Sequence, residues 1–392
     1  MNYDDLLGRV QRRMASVCVV GLGYVGFPVL RAFSAAKYPT IGFDVNPARA
    51  ARVAAETGIR CVSECPPAEV YIVCVPSPSN DHKPDLSYLR AVAQVVPKDR
   101  LVVVESTVGP GDTEATFKGQ AYLAFSPERE DPGTGRELTT IPKVIAANTM
   151  ESQMLVSSLY SRVFRSNLHM APNIKTAEMS KLMENTYRAV NIALACDFRD
   201  ACEVLDIDPR AATRAASTKP FGYQPFHAGV GVGGHCIAVD PWYLVDNVRR
   251  ASRGREVPAL SMIRTAMAIN DATPANRANK FAQMMRGEVS HRAPNVLVLG
   301  VTYKKNIDDV RNSPAVAFIN ELVKKDYSIS WHDKNAPDDF KIPATSVCVA
   351  FQKGGLLNYD AIVLAVDHDD FDYSLLSEHP CVYDMCGRLK KV

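Results

Sequence analysis

One stretch of the sequence presents a single thiol in surroundings that suit covalent chemistry. Residues 229–241 read GVGVGGHCIAVDP, so four glycines precede Cys236 and Asp240 follows it. Glycines have no Cβ and let a ligand approach the backbone closely, and a cysteine beside ionisable side chains is a typical covalent nucleophile. The alternative is a tight turn that leads into a helix, with Cys236 as a small buried apolar side chain.

A second group of polar side chains lies on a long predicted helix, residues 173–205. Lys181, Asn185 and Arg188 are spaced i, i+4 and i+7 and therefore share one face. Such a stripe usually marks the solvated side, but the rest of this helix is apolar, so we expect the stripe to be internal. Apolar residues around most of the circumference also predict that the helix pairs with a second copy of the chain, in a homodimer or a higher homo-oligomer.

The elements that would hold a cofactor come first in the chain. A strand ending at Val20 leads into a glycine turn and a helix, and the next strand ends at Asp44. In this pattern the amides of the turn contact a pyrophosphate and Asp44 binds the adenosine ribose. The residues expected at the pyrophosphate are Gly21, Gly23, Tyr24, Val25 and Gly26. Because the Asp44 carboxylate repels a 2′-phosphate, the sequence predicts NAD rather than NADP.

Further strands of the first sheet are predicted at 70–75, 101–104 and 122–125. Ser77 and Thr107 follow the first two of these strands, and a loop of acids and bases, residues 126–133, follows the third. Ligands of a doubly wound sheet bind outside the carboxyl ends of its strands, so we expect these residues where cofactor and substrate meet. The alternative role of Ser77 and Thr107 is to cap a turn or a helix.

A second α/β unit is predicted from Asn295 onward. Its strands are expected at 296–299, 327–331 and 361–366, and its helix at 314–325. This arrangement repeats the strand, helix and strand of the first unit, but no GxGxxG follows its first strand. The second unit is therefore expected to bind a nucleotide other than the dinucleotide.

Length and composition indicate a globular protein of two or three domains. The chain has 392 residues, 47% hydrophobic and 22% charged, with a formal net charge of +2, so neither a nucleic acid nor a membrane is expected as a partner. We expect no membrane-spanning run and no signal peptide. A cytoplasmic location is therefore expected. The ten cysteines include no CxxC pair, so we expect no metal site and no disulfides.

Taken together, these residues resemble the UDP-glucose/GDP-mannose dehydrogenase family along nearly the whole chain. The matching blocks are GLGYVGFP (21–28), VPSP with PDLSYL (75–89), ESTVGPG (105–111), SPEREDPG (126–133), AEMSKLMENTYRAVNIAL (177–194), GVGGHCIAVDP (231–241) and GVTYKKNIDDVRNSPA (300–315). Within the family, HCIAVDPWYL (235–244) and TKPFGYQPF (218–226) resemble the branch that acts on UDP-N-acetylhexosamines, namely UDP-N-acetylmannosamine and UDP-N-acetylglucosamine.

The resemblance implies an α/β fold of three domains. These are a Rossmann NAD-binding domain at 1–172, a central helical and dimerisation domain with the cysteine loop at 173–290, and a Rossmann-like UDP-sugar-binding domain at 291–392. The resemblance also implies the activity, since members oxidise the C6 alcohol of the sugar to a carboxylate in two hydride transfers to NAD. The products are precursors of surface polysaccharides.

The same resemblance implies a role for individual positions. Cys236 would form a thiohemiacetal and then a thioester, while Lys181 and Asn185 would stabilise the oxyanion. The residues that would move protons through water are Asp240, Thr107 and Glu128. The substrate-binding positions are Arg129, Glu130, Lys181, Asn185, Arg188, Gly231, Tyr303 and Lys304. Those that would contact NAD, besides the glycine turn and Asp44, are Ser77, Thr107 and Arg311.

The sequence departs from the family pattern at four places. His227-Ala228-Gly229-Val230 stands where an aromatic residue and PGPG are expected, and Met385-Cys386 replaces a polar pair. Ala146-Ala147 replaces a glycine pair and Asn306 an aspartate. None of these changes affects the catalytic positions named above.

Three other functions are considered. The first is a UDP-glucose 6-dehydrogenase. The second is a two-electron NAD dehydrogenase in which Cys236 is structural and Lys181 and Asn185 perform all the chemistry, which leaves the second α/β unit without a purpose. The third is a non-catalytic UDP-sugar-binding regulator, which the retention of every candidate catalytic side chain disfavours.

Overall fold

The computed structural model describes residues 2–80, 82–130, 137–253, 255, 260–286, 292–342, 346–352 and 354–389. The chain forms two compact units. One comprises Met1–Glu184 with Trp242–Pro258, and the other Asn185–Pro241 with Ala259–Val392. Each unit contains its own mainly parallel sheet, as the sequence predicts.

The first unit is an eight-stranded sheet with helices. Its strands are β1 (Val17–Val20), β2 (Thr40–Phe43), β3 (Cys61–Val62), β4 (Val70–Val73), β7 (Leu101–Val104), β8 (Tyr122–Phe125), β9 (Lys143–Ala147) and β10 (Leu168–Met170), and a separate hairpin holds β5 (Ser79–Asn80) and β6 (Lys83–Pro84). Its helices are α1 (Tyr3–Gln11), α2 (Gly26–Ala35), α3 (Pro47–Thr57), α4 (Ser87–Val95), α5 (Asp112–Thr116) and α6 (Met150–Tyr160). Every residue of β1, β4 and β7 is buried, because helices cover both faces of such a sheet.

The strand order of the first sheet is β10-β9-β8-β7-β4-β1-β2-β3. Neighbours are parallel except β8 and β9, which are antiparallel. The six strands from β3 to β8 follow the order of a dinucleotide-binding fold, with the switch between β1 and β4. This order brings the carboxyl ends of β1, β2, β4, β7 and β8 to one edge, where the candidate residues of this unit lie.

Four helices follow the first sheet: α7 (Ile174–Val204), α8 (Pro209–Ala216), α9 (Cys236–Ala251) and α10 (Ser261–Met284). α7 has 31 residues, about 46 Å at 1.5 Å per residue, and agrees with the predicted helix to within a residue at each end. The boundary between the units falls within α7, after Glu184, and within α9, after Pro241. Among the described residues, no helix combines the length and the apolar character needed to cross a membrane.

The second unit contains a five-stranded parallel sheet. Its elements are β11 (Asn295–Leu299), α11 (Pro314–Val323), β12 (Ser328–His332), β13 (Ser346–Cys348), β14 (Ala361–Leu364) and β15 (Val382–Asp384). The order β13-β12-β11-β14-β15 repeats that of the first sheet around its first strand. Apolar side chains of α11, such as Phe318 and Ile319, pack with those of the strands in one core. The predicted second α/β unit is therefore confirmed.

Candidate functional site

The glycine turn between β1 and α2 has the backbone that a pyrophosphate requires. Gly21 has a φ of 86°, and a Cβ on it would lie 2.7 Å from the carbonyl oxygen of Cys74. A Cβ on Gly26 would overlap the carbonyl group of Gly21, whereas one on Gly23 would meet nothing within 4 Å. No side chain caps the N-terminus of α2, which leaves this end of the helix suited to a phosphate.

Asp44 lies beside this turn at the end of β2. One carboxylate oxygen accepts the N–H of Leu22 and the other accepts the N–H of Asn46, each at 2.9 Å. These two bonds fix the carboxylate, which is half-buried and retains lone pairs for two ribose hydroxyls. The residues present therefore fit an adenine dinucleotide without a 2′-phosphate.

Replacing Asp44 by serine is expected to relax the choice of cofactor. The substitution removes the charge that repels a 2′-phosphate, so the ratio of kcat/KM for NAD+ to that for NADP+ should fall by roughly tenfold or more. Asp99→Ser, which removes an exposed carboxylate of the same unit, is the control and should leave the ratio unchanged. Equal use of both cofactors by the unaltered protein would contradict the role given to Asp44.

The loop after β4 is held by a side chain that the sequence analysis did not single out. Ser77 is buried, and its carbonyl oxygen accepts a hydrogen bond of 2.7 Å from the Tyr243 hydroxyl. Tyr243 lies on α9, two turns after Cys236. The bond fixes the backbone at the position where the nicotinamide end of the cofactor is expected.

The loop after β7 is tied to α7 by a buried acid. Thr107 begins this loop and is half-buried. At the far end of the loop, the N–H groups of Gly111 and Thr113 donate bonds of 2.5 and 3.0 Å to Glu178. Burial raises the pKa of Glu178 to about 7, although these N–H groups act in the opposite direction. Glu178 precedes Lys181 by one helical turn, so it sets the distance between the Thr107 loop and this part of α7.

Glu128 belongs to a buried ionic network. Lys143 of β9, 1% exposed, donates bonds of 3.0 Å to Glu105 and 2.6 Å to Glu128, and Tyr160 donates to the other oxygen of Glu105. Glu128 also accepts the N–H groups of the next two residues, each at 2.6 Å. The sequence analysis missed Lys143, whose position on β9 gave no sign of a charged partner.

Opposing effects set the pKa values in this network. Burial alone would raise the pKa of Glu128, but the Lys143 ammonium outweighs it and the pKa is lowered. Burial raises the pKa of Glu105 in spite of the same ammonium. Burial would lower the pKa of Lys143, but the two carboxylates raise it. At neutral pH, Glu128 is therefore an ionised and fixed carboxylate.

The two residues after Glu128 differ in their surroundings. The Arg129 guanidinium donates to Glu184 at 3.2 Å and to the carbonyl oxygen of Pro142 at 2.9 Å. Burial raises the pKa of Glu130, and the Glu128 charge adds to this effect. The remainder of the loop predicted at this edge, residues 131–133, lies outside the described residues.

The polar stripe on α7 is internal over part of its length only. Lys181 and Asn185 are 9% and 6% exposed, which agrees with the prediction. Arg188 is exposed, so the prediction was wrong for this residue, because the buried side of the helix continues through Ala189, which is 0% exposed, and not through Arg188. The Asn185 amide donates a bond of 2.6 Å to Asp240, which is 1% exposed.

Cys236 is exposed and is the first residue of α9. This position does not fit the alternative of a small buried side chain, and the N-terminus of a helix stabilises a thiolate. Burial lowers the pKa of the preceding His235, so its imidazole is uncharged at neutral pH. Of the ten cysteines, only Cys348 is also exposed.

The glycines before Cys236 pack against the segment that follows β11. The N–H of Gly234 donates to the carbonyl oxygen of Arg311 at 3.0 Å, and the Asn312 amide donates to the Gly234 carbonyl oxygen at 3.0 Å. A Cβ on Gly233 would lie 2.7 Å from the Cβ of Tyr303, and one on Gly234 would lie 2.8 Å from its ring. The structure therefore brings Tyr303 to the loop that presents the thiol.

Three other predicted positions lie in the same unit. Gly231 has a φ of 147°, and a Cβ on it would lie 2.9 Å from Pro314. The carbonyl oxygen of Lys304 accepts a bond of 3.0 Å from Thr302. The Arg311 guanidinium pairs with Asp309 at 2.6 Å, so the contact between Arg311 and NAD stays a prediction.

Asp333, which follows β12, has hydrogen-bond partners unlike those of Asp44, which follows β2. Asp333 accepts bonds of 2.7, 3.0 and 3.1 Å from the N–H groups of Val301 and Thr302 and from His368 Nε2. Burial alone would raise its pKa, but these bonds lower it to about 2. His368 Nδ1 accepts the N–H of Asn306 at 2.9 Å. The dyad of Asp333 and His368 thus braces the loop that carries Tyr303 and Lys304.

Comparison with known domains agrees with this geometry. Three domains of the UDP-glucose/GDP-mannose dehydrogenase family match the chain: the NAD binding domain at residues 55–164, the central domain at 175–272 and the UDP binding domain at 297–391. The matches cover more than half of the chain. They fall on the first sheet, the helices α7 to α9 with the start of α10, and the second sheet.

Relatives match the chain over nearly its whole length. A UDP-N-acetyl-D-mannosamine dehydrogenase of Methanocaldococcus jannaschii is 32% identical, covering 91% of this chain and 86% of that protein. A UDP-N-acetyl-D-glucosamine 6-dehydrogenase of Pseudomonas aeruginosa is 32% identical, with 91% of each chain covered. The solved structure of a UDP-D-ManNAc dehydrogenase from Pyrococcus horikoshii has a TM-score of 0.81 at 27% identity and 96% coverage of both chains. The chain therefore belongs to the UDP-glucose/GDP-mannose dehydrogenase family and is an NAD-dependent UDP-sugar dehydrogenase.

Proposed function

We propose that the chain oxidises the C6 alcohol of a UDP-N-acetylhexosamine to the uronic acid, as a precursor of a surface polysaccharide. One observation carries the proposal. Cys236 is exposed at the start of α9, while Asp240, one turn later, is buried and bonded to Asn185 at 2.6 Å. A thiol is thus accessible beside an amide and carboxylate pair whose geometry is already fixed. The substrates in the names of the relatives support the choice of sugar.

The proposed reaction consumes one alcohol, two hydride acceptors and one water for each acid formed. NAD+ supplies the hydride acceptor for each oxidation. Loss of a hydride and a proton converts the C6 alcohol into an aldehyde, and the Cys236 thiolate adds to the aldehyde carbon to form a thiohemiacetal. Loss of a second hydride and a proton gives a thioester, and water cleaves it to the uronate and the free thiol.

The remaining residues act on charge, protons and binding in this scheme. Lys181 and Asn185 stabilise the oxyanion at C6, and Asp240 with Thr107 moves protons through water. Glu128 is held ionised by Lys143 and orders that water. The substrate contacts that we propose are Arg129, Glu130, Arg188, Gly231, Tyr303 and Lys304, and the further cofactor contacts are Ser77 and Arg311.

We also propose the domain limits and the location of the enzyme. The domains are 1–172 for NAD, 173–290 for the central helices and the cysteine loop, and 291–392 for the UDP-sugar. All ten cysteines are free thiols, which is typical of proteins in the reducing cytoplasm.

Counting NADH per UDP-sugar tests the reaction type. The proposal requires two NADH for each UDP-sugar consumed and a product with one added carboxylate, measured by absorbance and mass spectrometry. One NADH per sugar would indicate the two-electron dehydrogenase, in which Cys236 is structural. No NADH with any UDP-sugar would indicate a binding protein without turnover.

The N-acetyl group is expected to decide the substrate. A site that pairs the donor and the acceptor of the C2 amide leaves them unmatched when only a hydroxyl is present, at about 1–3 kcal/mol for each buried unpaired group. We therefore expect kcat/KM for UDP-N-acetylglucosamine or UDP-N-acetylmannosamine to exceed that for UDP-glucose by at least roughly tenfold. Equal or better turnover of UDP-glucose in a parallel assay would make the chain a UDP-glucose 6-dehydrogenase.

Association through α7 is the oligomeric contact that we propose. Its exposed apolar side chains include Tyr187, Leu194 and Phe198, between 45% and 57% exposed. Light scattering at micromolar concentration should give at least twice the chain mass of 43.0 kDa. Phe198→Glu should lower that mass, whereas Leu357→Glu, at an exposed apolar site elsewhere in the second unit, should not. A monomer in the unaltered protein would exclude the contact.

A further inference from the structure

An arginine that the sequence analysis did not single out lies at the carboxyl edge of the second sheet. Arg210 of α8 passes directly over Gly387, which follows the end of β15 by three residues. A Cβ on Gly387 would lie 2.8 Å from Arg210 Cδ and 2.9 Å from its Cζ, so any larger residue would displace the guanidinium. Ligands of doubly wound sheets bind outside this edge.

The acid at the end of β15, on which the charge of Arg210 acts, is hydrogen-bonded to the backbone. Asp384 accepts the N–H groups of Cys386, Gly387 and Leu389 at 2.9, 2.6 and 2.7 Å. Within the described part of the chain, the Arg210 guanidinium forms no ion pair and no hydrogen bond. The half-buried guanidinium at this edge of the sheet therefore keeps its N–H donors unused among the described residues, although its charge favours the ionised form of Asp384.

A second arginine adds positive charge at the same place. Arg199 of α7 is 8% exposed, donates one bond of 2.9 Å to the carbonyl oxygen of Gly229, and has a buried Nη2 without a hydrogen-bond partner. Glu203 lies 3.9 Å from its Nε and is shared with Arg277. Burial raises the pKa of Cys386, the charges of Asp367 and Asp384 add to this increase, and the charges of Arg210 and Arg199 oppose it.

The two residues that follow Asp384 provide no anion-binding side chain. Met385 and Cys386 stand where the family pattern has a polar pair, and Met385 is buried while the Cys386 thiol bonds to the carbonyl oxygen of Ala365. Neither side chain can bind an anion. Arg210 reaches the same end of β15 from a different helix and carries N–H donors to this position.

We infer that Arg210, with the buried charge of Arg199 behind it, binds the diphosphate of the nucleotide sugar. A guanidinium matches two phosphate oxygens with two parallel N–H donors, which a lysine ammonium cannot do. The inference rests on the proposed function only in the identity of the ligand, a uridine diphosphate ester. It assigns a substrate contact to α8, outside the UDP binding domain match at 297–391.

Titration of UDP and uridine against matched variants tests the inference. Arg210→Met should weaken UDP binding by at least about tenfold, since a hydrogen bond to a charged group contributes about 1.5–3 kcal/mol, and should leave uridine binding unchanged. Arg210→Lys should recover part of the loss. Arg214→Met, on the same helix and 71% exposed, should bind UDP like the unaltered chain, and an unchanged circular dichroism spectrum and melting curve for each variant shows that it is folded.

Two outcomes would overturn the inference: unchanged UDP binding by Arg210→Met, or an equal loss for UDP and uridine. Unchanged UDP binding together with weaker UDP-N-acetylglucosamine binding would move the contact from the diphosphate to the sugar and would also overturn it. A different result would refute the proposed function without refuting the diphosphate contact. A chain that binds UDP through Arg210 but reduces no NAD+ with any UDP-N-acetylhexosamine would refute the reaction and leave the diphosphate contact standing.

Discussion

Cys236→Ser should stop acid formation while both ligands still bind. A serine alkoxide is not available at neutral pH, and only the sulfur ester is cleaved readily by water, so the rate of uronate formation should fall by at least about a thousandfold. Binding of NAD+ and the UDP-sugar, measured by calorimetry, should stay within about twofold of the unaltered protein, because the substitution exchanges one atom at an exposed position.

The outcome is interpretable because the chain offers a matched control. Cys348→Ser changes the other exposed thiol and should leave uronate formation intact. Full activity in Cys236→Ser would transfer the chemistry to Lys181 and Asn185 and support the two-electron dehydrogenase. Loss of ligand binding together with activity would instead mean that Cys236 supports the shape of the loop.

Lys143→Met should destabilise the first unit strongly. The ammonium, 1% exposed, lies between Glu105 and Glu128, and its removal leaves two buried carboxylates without a counterion. Breaking a buried ion pair in this way costs about 3–5 kcal/mol. The free energy of unfolding, measured by urea denaturation at pH 7, should fall by this amount if unfolding remains two-state.

The pH dependence of that loss has a definite sign. In the unaltered protein, Lys143 lowers the pKa of Glu128, so Glu128 contributes stability above its unfolded pKa that is lost as the pH falls through the folded value. Burial raises the pKa of Glu105. The stability that Glu105 contributes is therefore present below its unfolded pKa and is lost as the pH rises through its folded pKa. Without Lys143, both folded pKa values rise, so the variant should regain stability as the pH falls from 7 toward about 4.

A double variant separates charge from packing in this experiment. Lys143→Met with Glu105→Gln removes one of the two like charges and should recover part of the stability at pH 7. If the double variant is no more stable than Lys143→Met, the loss comes from packing of the lysine stem. Lys143→Arg keeps the positive charge, so its free energy of unfolding should fall least among these variants.

The sequence predicts features that local spacing determines. The glycine turn, the strand that ends at Asp44 and the long helix α7 all follow from short patterns, and the structure agrees with each to within two residues. The exposed thiol could also be anticipated, because the glycines that precede it leave little side chain to cover it.

The partners of buried charges could not be predicted in the same way. Glu105 and Lys143 are separated by 38 residues and Gly111 and Glu178 by 67, and no periodicity connects such pairs. Their contact depends on strand order and on which side chains the fold leaves without water. The exposure of Arg188 was missed for a related reason, since helical spacing defines a face but not how wide the buried part of that face is.

The two sheets have the same strand topology, but the carboxylate that follows the second strand of each sheet has different hydrogen-bond partners. Asp44 keeps lone pairs for a ribose beside the uncapped N-terminus of α2. Asp333 instead accepts hydrogen bonds from Val301, Thr302 and His368. A dinucleotide at the second sheet could not use the buried Asp333 carboxylate as the acceptor for its adenosine hydroxyls, so we expect its affinity there to be low. An enzyme that must hold a cofactor and a nucleotide sugar together can thus operate at a high concentration of NAD+ without the cofactor occupying the sugar nucleotide's place.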